Sequence, residues 1–180
     1  TLQAKLSFAN VDNFTFEVTE IDGTVAETGT SVIEMENLTD TEVVTREDFI
    51  NAGKLTAGEF FTDSTSTASG GKAISGFTSG SVFNINFLVT KEGSYTISFV
   101  GANNNSYDVS NLQFTLDGVV LTGITGNLQG TAKDGVPAYF DWQTITLTTT
   151  ALTQGKHTLS IKVVNGQPNF DCVKFEAVTE

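Results

Sequence analysis

The chain has 180 residues, enough for one domain with a short appendage, and its 9 Lys and Arg against 21 Asp and Glu give a formal net charge of −12. So acidic a surface repels phosphate groups and anionic lipids, which argues against nucleic acids and membrane surfaces as partners and favours a cation or an uncharged ligand. No apolar run approaches the ~18 residues of a membrane-spanning helix, so membrane insertion is not expected.

The composition favours strands over helices. Phenylalanine (14) and glycine (17) are frequent and proline (2) is rare, a profile typical of strands joined by tight turns. Cys172 is the only cysteine, so no intrachain disulfide is expected. Its strand-like surroundings predict a small, buried apolar residue.

Residues 1–30 contain a hairpin signal. The stretch NFTFEVTE alternates apolar and polar residues before a turn predicted at Asp22 and Gly23. The segment is too short for a domain. We therefore predict an N-terminal hairpin extension or the end of a preceding domain, followed by a main domain over residues 31–180.

The first strand of the main domain carries two glutamates. In SVIEMENLT, residues 31–39, Ile33 and Met35 share one face of an extended chain, and Glu34 and Glu36 share the other. The two carboxylates would stand about 7 Å apart and repel each other. The residues alone leave open whether this pair is solvated or holds a cation.

Residues 39–70 are interpreted as loops, and regular strands follow them, including a hairpin with a turn at Asp117 and Gly118. Their alternation indicates an all-β, antiparallel β-sandwich. The predicted core comprises Phe83, Ile85, Phe87, Tyr95, Ile97, Phe99, Leu159, Ile161 and Val163.

Catalysis is not expected, since no nucleophile-elbow, zinc-protease or phosphate-loop motif occurs. His157, the only histidine, is predicted to be a capping or half-buried polar residue. Cys172 and His157 are predicted at opposite ends of adjacent strands, which disfavours a nucleophile–base pair. The many carboxylates leave a small glycosidase open as a minor alternative.

Six segments in order, over about residues 31–176, resemble the carbohydrate-binding modules of families 6 and 35. They are VIEMEN, ASGGKAISGF, VFNINFLVTKEGSYTISFVGANN, FTLDGVVL, WQTITLTTTALTQGKHTLSI and NFDCVKFE. The resemblance implies a β-sandwich of jelly-roll type, non-catalytic and appended to polysaccharide-degrading enzymes. It also implies a structural calcium ion at the family's ligand positions, which here are Glu34, Glu36 and Asp171.

A sugar site needs ring faces for the apolar side of a sugar and fixed polar groups for its hydroxyls. Tyr139 and Asn169 are the leading candidates, with Trp142, Phe77 and Tyr107 as further members. For each aromatic residue, packing in a loop or in the core is the competing interpretation.

The sequence thus predicts a secreted or cell-surface module of a bacterial protein. It would bind a polysaccharide or oligosaccharide and target a covalently linked catalytic domain, or a cell surface, to that glycan. The alternative is a calcium-stabilised structural or adhesive β-sandwich domain.

Overall fold

The computed structural model describes residues 21–37, 67–75, 77–103, 108–130 and 140–178 with their side chains. It describes residues 43–45 and 60–64 as backbone. These residues form strands and two 3₁₀ turns, Met35–Asn37 and Ser69–Gly71. The strands are Gly23–Val25 (β1), Thr30–Glu34 (β2), Val43–Thr45 (β3), Phe60–Ser64 (β4), Lys72–Ser75 (β5), Val82–Val89 (β6), Gly93–Asn103 (β7), Val109–Leu116 (β8), Val119–Val120 (β9), Asn127–Gln129 (β10), Gln143–Leu152 (β11), Gly155–Asn165 (β12) and Pro168–Ala177 (β13).

The strands build two sheets, which confirms the predicted β-sandwich. Sheet A has the order β1-β6-β12-β8-β10, with β9 paired to β8. Sheet B has the order β11-β7-β13-β5-β4-β3, with β2 paired to β13. Pairing is antiparallel except between β1 and β6 and between β3 and β4. The jelly-roll connectivity remains a prediction. Among the described residues, no helix is long and apolar enough to cross a membrane.

The core lies between the two sheets and contains all nine residues predicted from alternation, each of them buried. Alternation works here because one face of every strand points at the opposite sheet. Aromatic rings join the two layers. The rings of Phe87 in sheet A and Phe175 in sheet B, for example, have centroids 4.5 Å apart.

A short strand before residue 31 belongs to sheet A. Gly23 starts β1, which pairs in parallel with β6, and the Asp22 carboxylate accepts a 2.7 Å hydrogen bond from the backbone N–H of Asn86. Gly23 is therefore a strand residue and not a hairpin turn, whereas the predicted domain boundary at residue 31 remains a prediction. The hairpin strand predicted within residues 1–20 lies outside the described residues.

The region interpreted as loops also contains strands. β3 and β4 pair with each other, and β4 pairs with β5. Both are short and surrounded by polar residues, so neither shows the alternation that marks the later strands. Their effect is to extend sheet B beyond β5.

The predicted turn at Asp117 and Gly118 is confirmed and is fastened by His157. Both turn residues have positive φ, 48° and 80°, as a two-residue hairpin requires. His157 is 9% exposed, with Nδ1 2.7 Å from Asp117 Oδ2 and Nε2 2.9 Å from the Thr153 carbonyl oxygen. Because both ring nitrogens face acceptors, the protonated ring satisfies both. Burial lowers the pKa of His157, but the hydrogen bonds that its ring donates to Asp117 and to the Thr153 carbonyl outweigh burial and raise this pKa above its ordinary value.

His157 and Cys172 are not on adjacent strands, contrary to prediction. His157 lies on β12 in sheet A, whereas Cys172 is fully buried on β13 in sheet B. The chain crosses from one sheet to the other between β12 and β13, so these consecutive strands are not neighbours within a sheet. The expectation that they do not act as a nucleophile–base pair is unaffected.

The His157 contacts predict a pH-dependent stability. A raised folded-state pKa stabilises the protein fully below the unfolded pKa, near 6.5, and this contribution is lost as the pH rises through the folded pKa. Chemical unfolding between pH 6 and pH 8.5 should therefore show a falling free energy of unfolding. His157→Gln should reduce this slope and destabilise the protein at pH 6 by about 1.5–3 kcal/mol. Equal pH slopes in the two proteins would contradict the assignment.

Candidate functional site

Three carboxylates converge on one side of sheet B. Glu34 is the last residue of β2 and pairs with Cys172, while Glu36 lies in the 3₁₀ turn that follows. Asp171 is the extra residue of a β-bulge. Its neighbours Phe170 and Cys172 pair with two adjacent residues of β7, Gly101 and Val100, so no β7 residue is left to pair with Asp171. A bulge turns a side chain out of the regular alternation. Glu34 and Glu36 do not share one strand face, contrary to prediction, because Glu34 ends β2 and Glu36 lies in the turn after it.

The Ser69–Gly71 turn closes over these carboxylates. The Ser69 backbone N–H donates to Asp171 Oδ1 at 2.9 Å, and the Ser69 hydroxyl donates to Glu34 Oε1 at 2.7 Å. Gly70 has φ +61°, and a Cβ there would stand 3.1 Å from Glu36 Oε1 and 3.6 Å from Glu34 Cδ. Glycine supplies both the left-handed backbone and the close approach.

Two carboxylate oxygens of this cluster lack hydrogen-bond partners. Within the described part of the chain, Glu34 Oε2 and Glu36 Oε2 are buried and accept no hydrogen bond. Asp171 is 4% exposed, and its burial, together with the charge of Glu34, raises its pKa to about 6. Burial, aided by the charges of Glu34 and Asp171, also raises the pKa of Glu36. The charges of Lys72 and Lys174 act against these shifts, but burial and the like charges outweigh them. Clustered, partly buried carboxylates are costly, so this geometry favours a bound cation.

The donor set fits a hard cation better than a soft one. Ligand atoms of Glu34, Asp171 and Cys172 lie within 4.8 Å of one another, and Glu36 borders this group at Gly70. Burial, followed by the charge of Asp171, raises the pKa of the Cys172 thiol to about 12, so the thiol stays protonated and is a poor ligand. Calcium takes carboxylate and carbonyl oxygens, whereas zinc prefers thiolate and imidazole. The residues therefore fit calcium.

Trp142 and Asn169 lie near the same end of sheet B. Trp142 immediately precedes Gln143, which pairs with Gly101 at the end of β7, and Asn169 pairs with the next β7 residue, Ala102. Trp142 and Asn169 thus flank the same point of β7, about 10 Å apart across two strand spacings. Trp142 is partly exposed, whereas Asn169 is 7% exposed. The partly exposed ring of Trp142 can offer one face to a sugar, and Asn169 is a polar group two strands away.

Two hydrogen-bond systems hold Trp142. Its indole Nε1–H donates to Thr67 Oγ1 at 3.1 Å. The side-chain amide of the neighbouring Gln143 bonds the backbone of Gln129 twice, accepting from N–H and donating to C=O, each at 2.8 Å. This amide ties the edge strand β10 of sheet A to the first residue of β11 in sheet B. The start of β11 is therefore anchored to both sheets.

Phe77 is not available to a sugar, contrary to prediction. It is 1% exposed, and its ring stacks on Phe170 at a centroid distance of 4.1 Å and meets the edge of Phe83 at 4.4 Å. These contacts fill the space between the sheets and leave no face of the ring in solvent. Tyr107 and Tyr139, the other two aromatic candidates, lie outside the described residues.

Sequence reasoning gave no role to Thr67, Ser69 or Gly70. They sit in a Ser- and Thr-rich stretch that reads as an ordinary loop. The only local signal was the pair of glycines after Ser69, because adjacent glycines often mark positive φ, and both have it here, at 61° and 77°. Their partners, Glu34, Asp171 and Trp142, lie more than 30 residues away in the chain, so no local pattern reveals these contacts.

Comparison with known proteins gives matches of structure only. No protein-family model and no curated protein sequence matches the chain. The C-terminal family 6 carbohydrate-binding module of LamC, a marine laminarinase from Zobellia galactanivorans, matches with a TM-score of 0.52 and 18% identity. The match covers 82% of this chain and 98% of that module.

A family 35 module and an enzyme that contains one match in the same way. A family 35 carbohydrate-binding module from Clostridium thermocellum gives a TM-score of 0.50 at 17% identity, covering 66% of this chain and 88% of that one. A Podospora anserina β-(1,4)-mannanase with a family 35 module gives 0.56 at 17% identity, covering 84% of this chain. The chain spans 28% of that enzyme and 16% of a matching Paenibacillus glucanotransferase. The chain therefore has the β-sandwich fold of the carbohydrate-binding modules of families 6 and 35.

Proposed function

We propose that this chain is a non-catalytic carbohydrate-binding module that binds a polysaccharide and targets an attached enzyme or a cell surface to it. The observation that carries the proposal is the length of the match to the LamC module, which includes nearly all of that module and most of this chain. An extracellular location follows from this role, and so does a linked catalytic domain like the one joined to the module in the mannanase.

Trp142 and Asn169 support sugar binding at the end of sheet B. Trp142 is the only tryptophan of the chain, and it stays partly exposed although a core site would bury more of its surface. Both of its neighbouring anchors, Thr67 and Gln143, are uncharged. A ring held by uncharged side chains suits a neutral sugar, whose binding needs ring area and hydrogen bonds but no counter-charge.

Calcium at Glu34, Glu36 and Asp171 is part of the proposal. The buried carboxylate oxygens without partners support it, and so does the raised pKa of Asp171. Bound calcium would neutralise the cluster and hold β2 against β13. It would supply no chemistry to the sugar.

The same carboxylates argue against a glycosidase. A catalytic pair flanks a sugar in an open cleft, with one acid free to donate a proton and the other to attack or to activate water. Glu34 and Asp171 are instead joined through Ser69 beneath a turn.

The experiment is affinity electrophoresis through gels that contain β-1,3-glucan, β-1,4-mannan or mixed-linkage β-glucan. Retardation by at least one glycan is expected. Trp142→Ala should weaken that binding by at least about tenfold, or 1.4 kcal/mol, because it removes the aromatic platform. Tyr139→Ala, which alters the second predicted ring, should weaken it too.

Circular dichroism and the melting temperature check that both variants remain folded. The matched control is Val120→Ala, which alters an exposed apolar residue on β9 in the other sheet. Full retardation of the Trp142 variant would place the sugar elsewhere, for instance on the outer face of a sheet.

The second candidate is a calcium-stabilised structural or adhesive domain. The carboxylate cluster favours it equally, because the cluster stabilises the sandwich whether or not a sugar binds. Calcium-dependent stability with no retardation by any glycan would support this alternative.

A further inference from the structure

The carboxylate cluster and Trp142 are connected through one short segment, Thr67–Gly71. Its first residue, Thr67, accepts the hydrogen bond from the indole of Trp142. Two residues later, Ser69 donates to Glu34 and Asp171. Thr67 and Ser69 thus link the two parts of the molecule for which separate roles are proposed above.

We propose that calcium bound at Glu34, Glu36 and Asp171 controls the position of Trp142 through this segment, so that polysaccharide binding depends on calcium. This inference rests on the proposed function, since it assigns a regulator to the same sugar site. Thr67 and Ser69 are positioning residues in it, because they act through Trp142 and touch no sugar themselves.

The physical basis is the placement of Ser69 between two like charges. Without a cation, the carboxylates of Glu34 and Asp171 repel each other. Ser69 can keep its hydrogen bonds to both only while the two carboxylates stay close together. If the carboxylates separate, one of its hydrogen bonds must break. Gly70 then loses its close approach to the glutamates. With a cation, attraction replaces repulsion and both hydrogen bonds persist.

A shift of Ser69 also moves Trp142, because Thr67, which binds the indole, is only two residues from Ser69 in the chain. Two residues of extended chain span at most about 7 Å, so Thr67 cannot keep its position while Ser69 moves far. The indole hydrogen bond is the contact most exposed to such a shift. Gln143 still anchors the backbone of β11 to Gln129, so the effect falls on the side chain of Trp142.

The test uses Trp142 as its own reporter, since no other tryptophan is present. EDTA-treated protein is titrated with calcium while indole emission and its quenching by acrylamide are recorded. Calcium is expected to shift the emission to shorter wavelength and to reduce quenching about twofold or more. Affinity for the retained glycan, measured in parallel, should rise about fivefold or more, within the usual range of coupling between sites.

Two variants isolate the link. Thr67→Val keeps the shape of the side chain and removes the hydroxyl that accepts the indole hydrogen bond. It should abolish the fluorescence response and most of the gain in glycan affinity, while calcium still raises the melting temperature. Thr24→Val, at an exposed position of β1 in sheet A, is the matched control and should behave like the unmodified protein.

The outcomes separate this inference from the proposed function. If calcium raises the melting temperature but leaves emission, quenching and glycan affinity unchanged, the coupling is overturned and the calcium site stands. If Thr67→Val responds to calcium as fully as the unmodified protein, the route through Thr67 is overturned. If calcium changes nothing at all, the calcium site and the coupling both fail, and glycan retardation alone decides the sugar site.

Discussion

Excess EDTA is expected to lower the melting temperature of the calcium-loaded protein by about 5–10 °C at neutral pH. A ligand present at 100 times its dissociation constant stabilises the folded state by about 2.7 kcal/mol, which corresponds to a shift of this size for a domain of this length. The stabilisation arises because calcium replaces the repulsion among Glu34, Glu36 and Asp171 with attraction. Differential scanning calorimetry with and without EDTA, followed by calcium re-addition, measures the shift.

Glu36→Gln identifies the carboxylates as the source of that shift. The substitution keeps the volume of the side chain and removes one charge next to Gly70. The variant should lose most of its sensitivity to EDTA and should not melt below the EDTA-treated original, because its cluster has less repulsion to relieve. Glu92→Gln, which removes the same charge from an exposed turn, should keep the full sensitivity.

A flat response to EDTA, together with no calcium by elemental analysis, would show that the three carboxylates form a metal-free cluster. The raised pKa of Asp171, about 6, would then indicate how such a cluster persists. Part of it would be protonated near that pH. The proposal requires the opposite result, in which the calcium-loaded protein is the more stable form.

The core could be predicted from sequence because its signal is local. A strand buried on one face must place apolar residues at every second position, and β6, β7 and β12 follow this rule over eight or more residues. The Asp117–Gly118 turn was equally local, because its residues meet the backbone requirement of the turn by themselves. Short strands such as β1 and β3 lack such a pattern and were missed.

The carboxylate cluster was predicted by residue but not by geometry. Sequence alternation placed Glu34 and Glu36 side by side on a strand, whereas β2 ends at Glu34 and a 3₁₀ turn carries Glu36. The bulge at Asp171 has no sequence signature of its own. It exists only because β13 pairs with a β7 strand that has one residue fewer at that point. Such features depend on pairing between distant segments, which a pattern in one segment does not encode.

Phe77 shows the limit of assigning an aromatic residue by family position. It follows a glycine-rich stretch and precedes a turn, so no alternation indicated which way its ring points. In the structure its ring points into the core between the sheets, where Phe170 and Phe83 contact it from two sides. A residue so placed contributes to the stability of the fold, and its replacement has a consequence opposite to that expected for a sugar platform.

Phe77→Ala is expected to lower the free energy of unfolding by about 3–5 kcal/mol, since it removes a buried ring and leaves a cavity between the sheets. The loss includes its ring contacts with Phe170 and Phe83, because such aromatic pairs add about 0.5–1.5 kcal/mol beyond area burial. Phe77→Leu keeps most of the volume and should cost about 1–2 kcal/mol. Urea unfolding of both variants measures these values.

Glycan retardation of Phe77→Leu decides between the two roles of this residue. A leucine fills the core but offers no ring face, so a core role predicts unchanged retardation in a variant that remains folded. A sugar platform predicts the reverse, with retardation lost and stability almost unchanged, as expected for Trp142→Ala. Because the ring is 1% exposed and stacked 4.1 Å from Phe170, we expect the first result, and the second would mean that Phe77 leaves the core to reach the sugar.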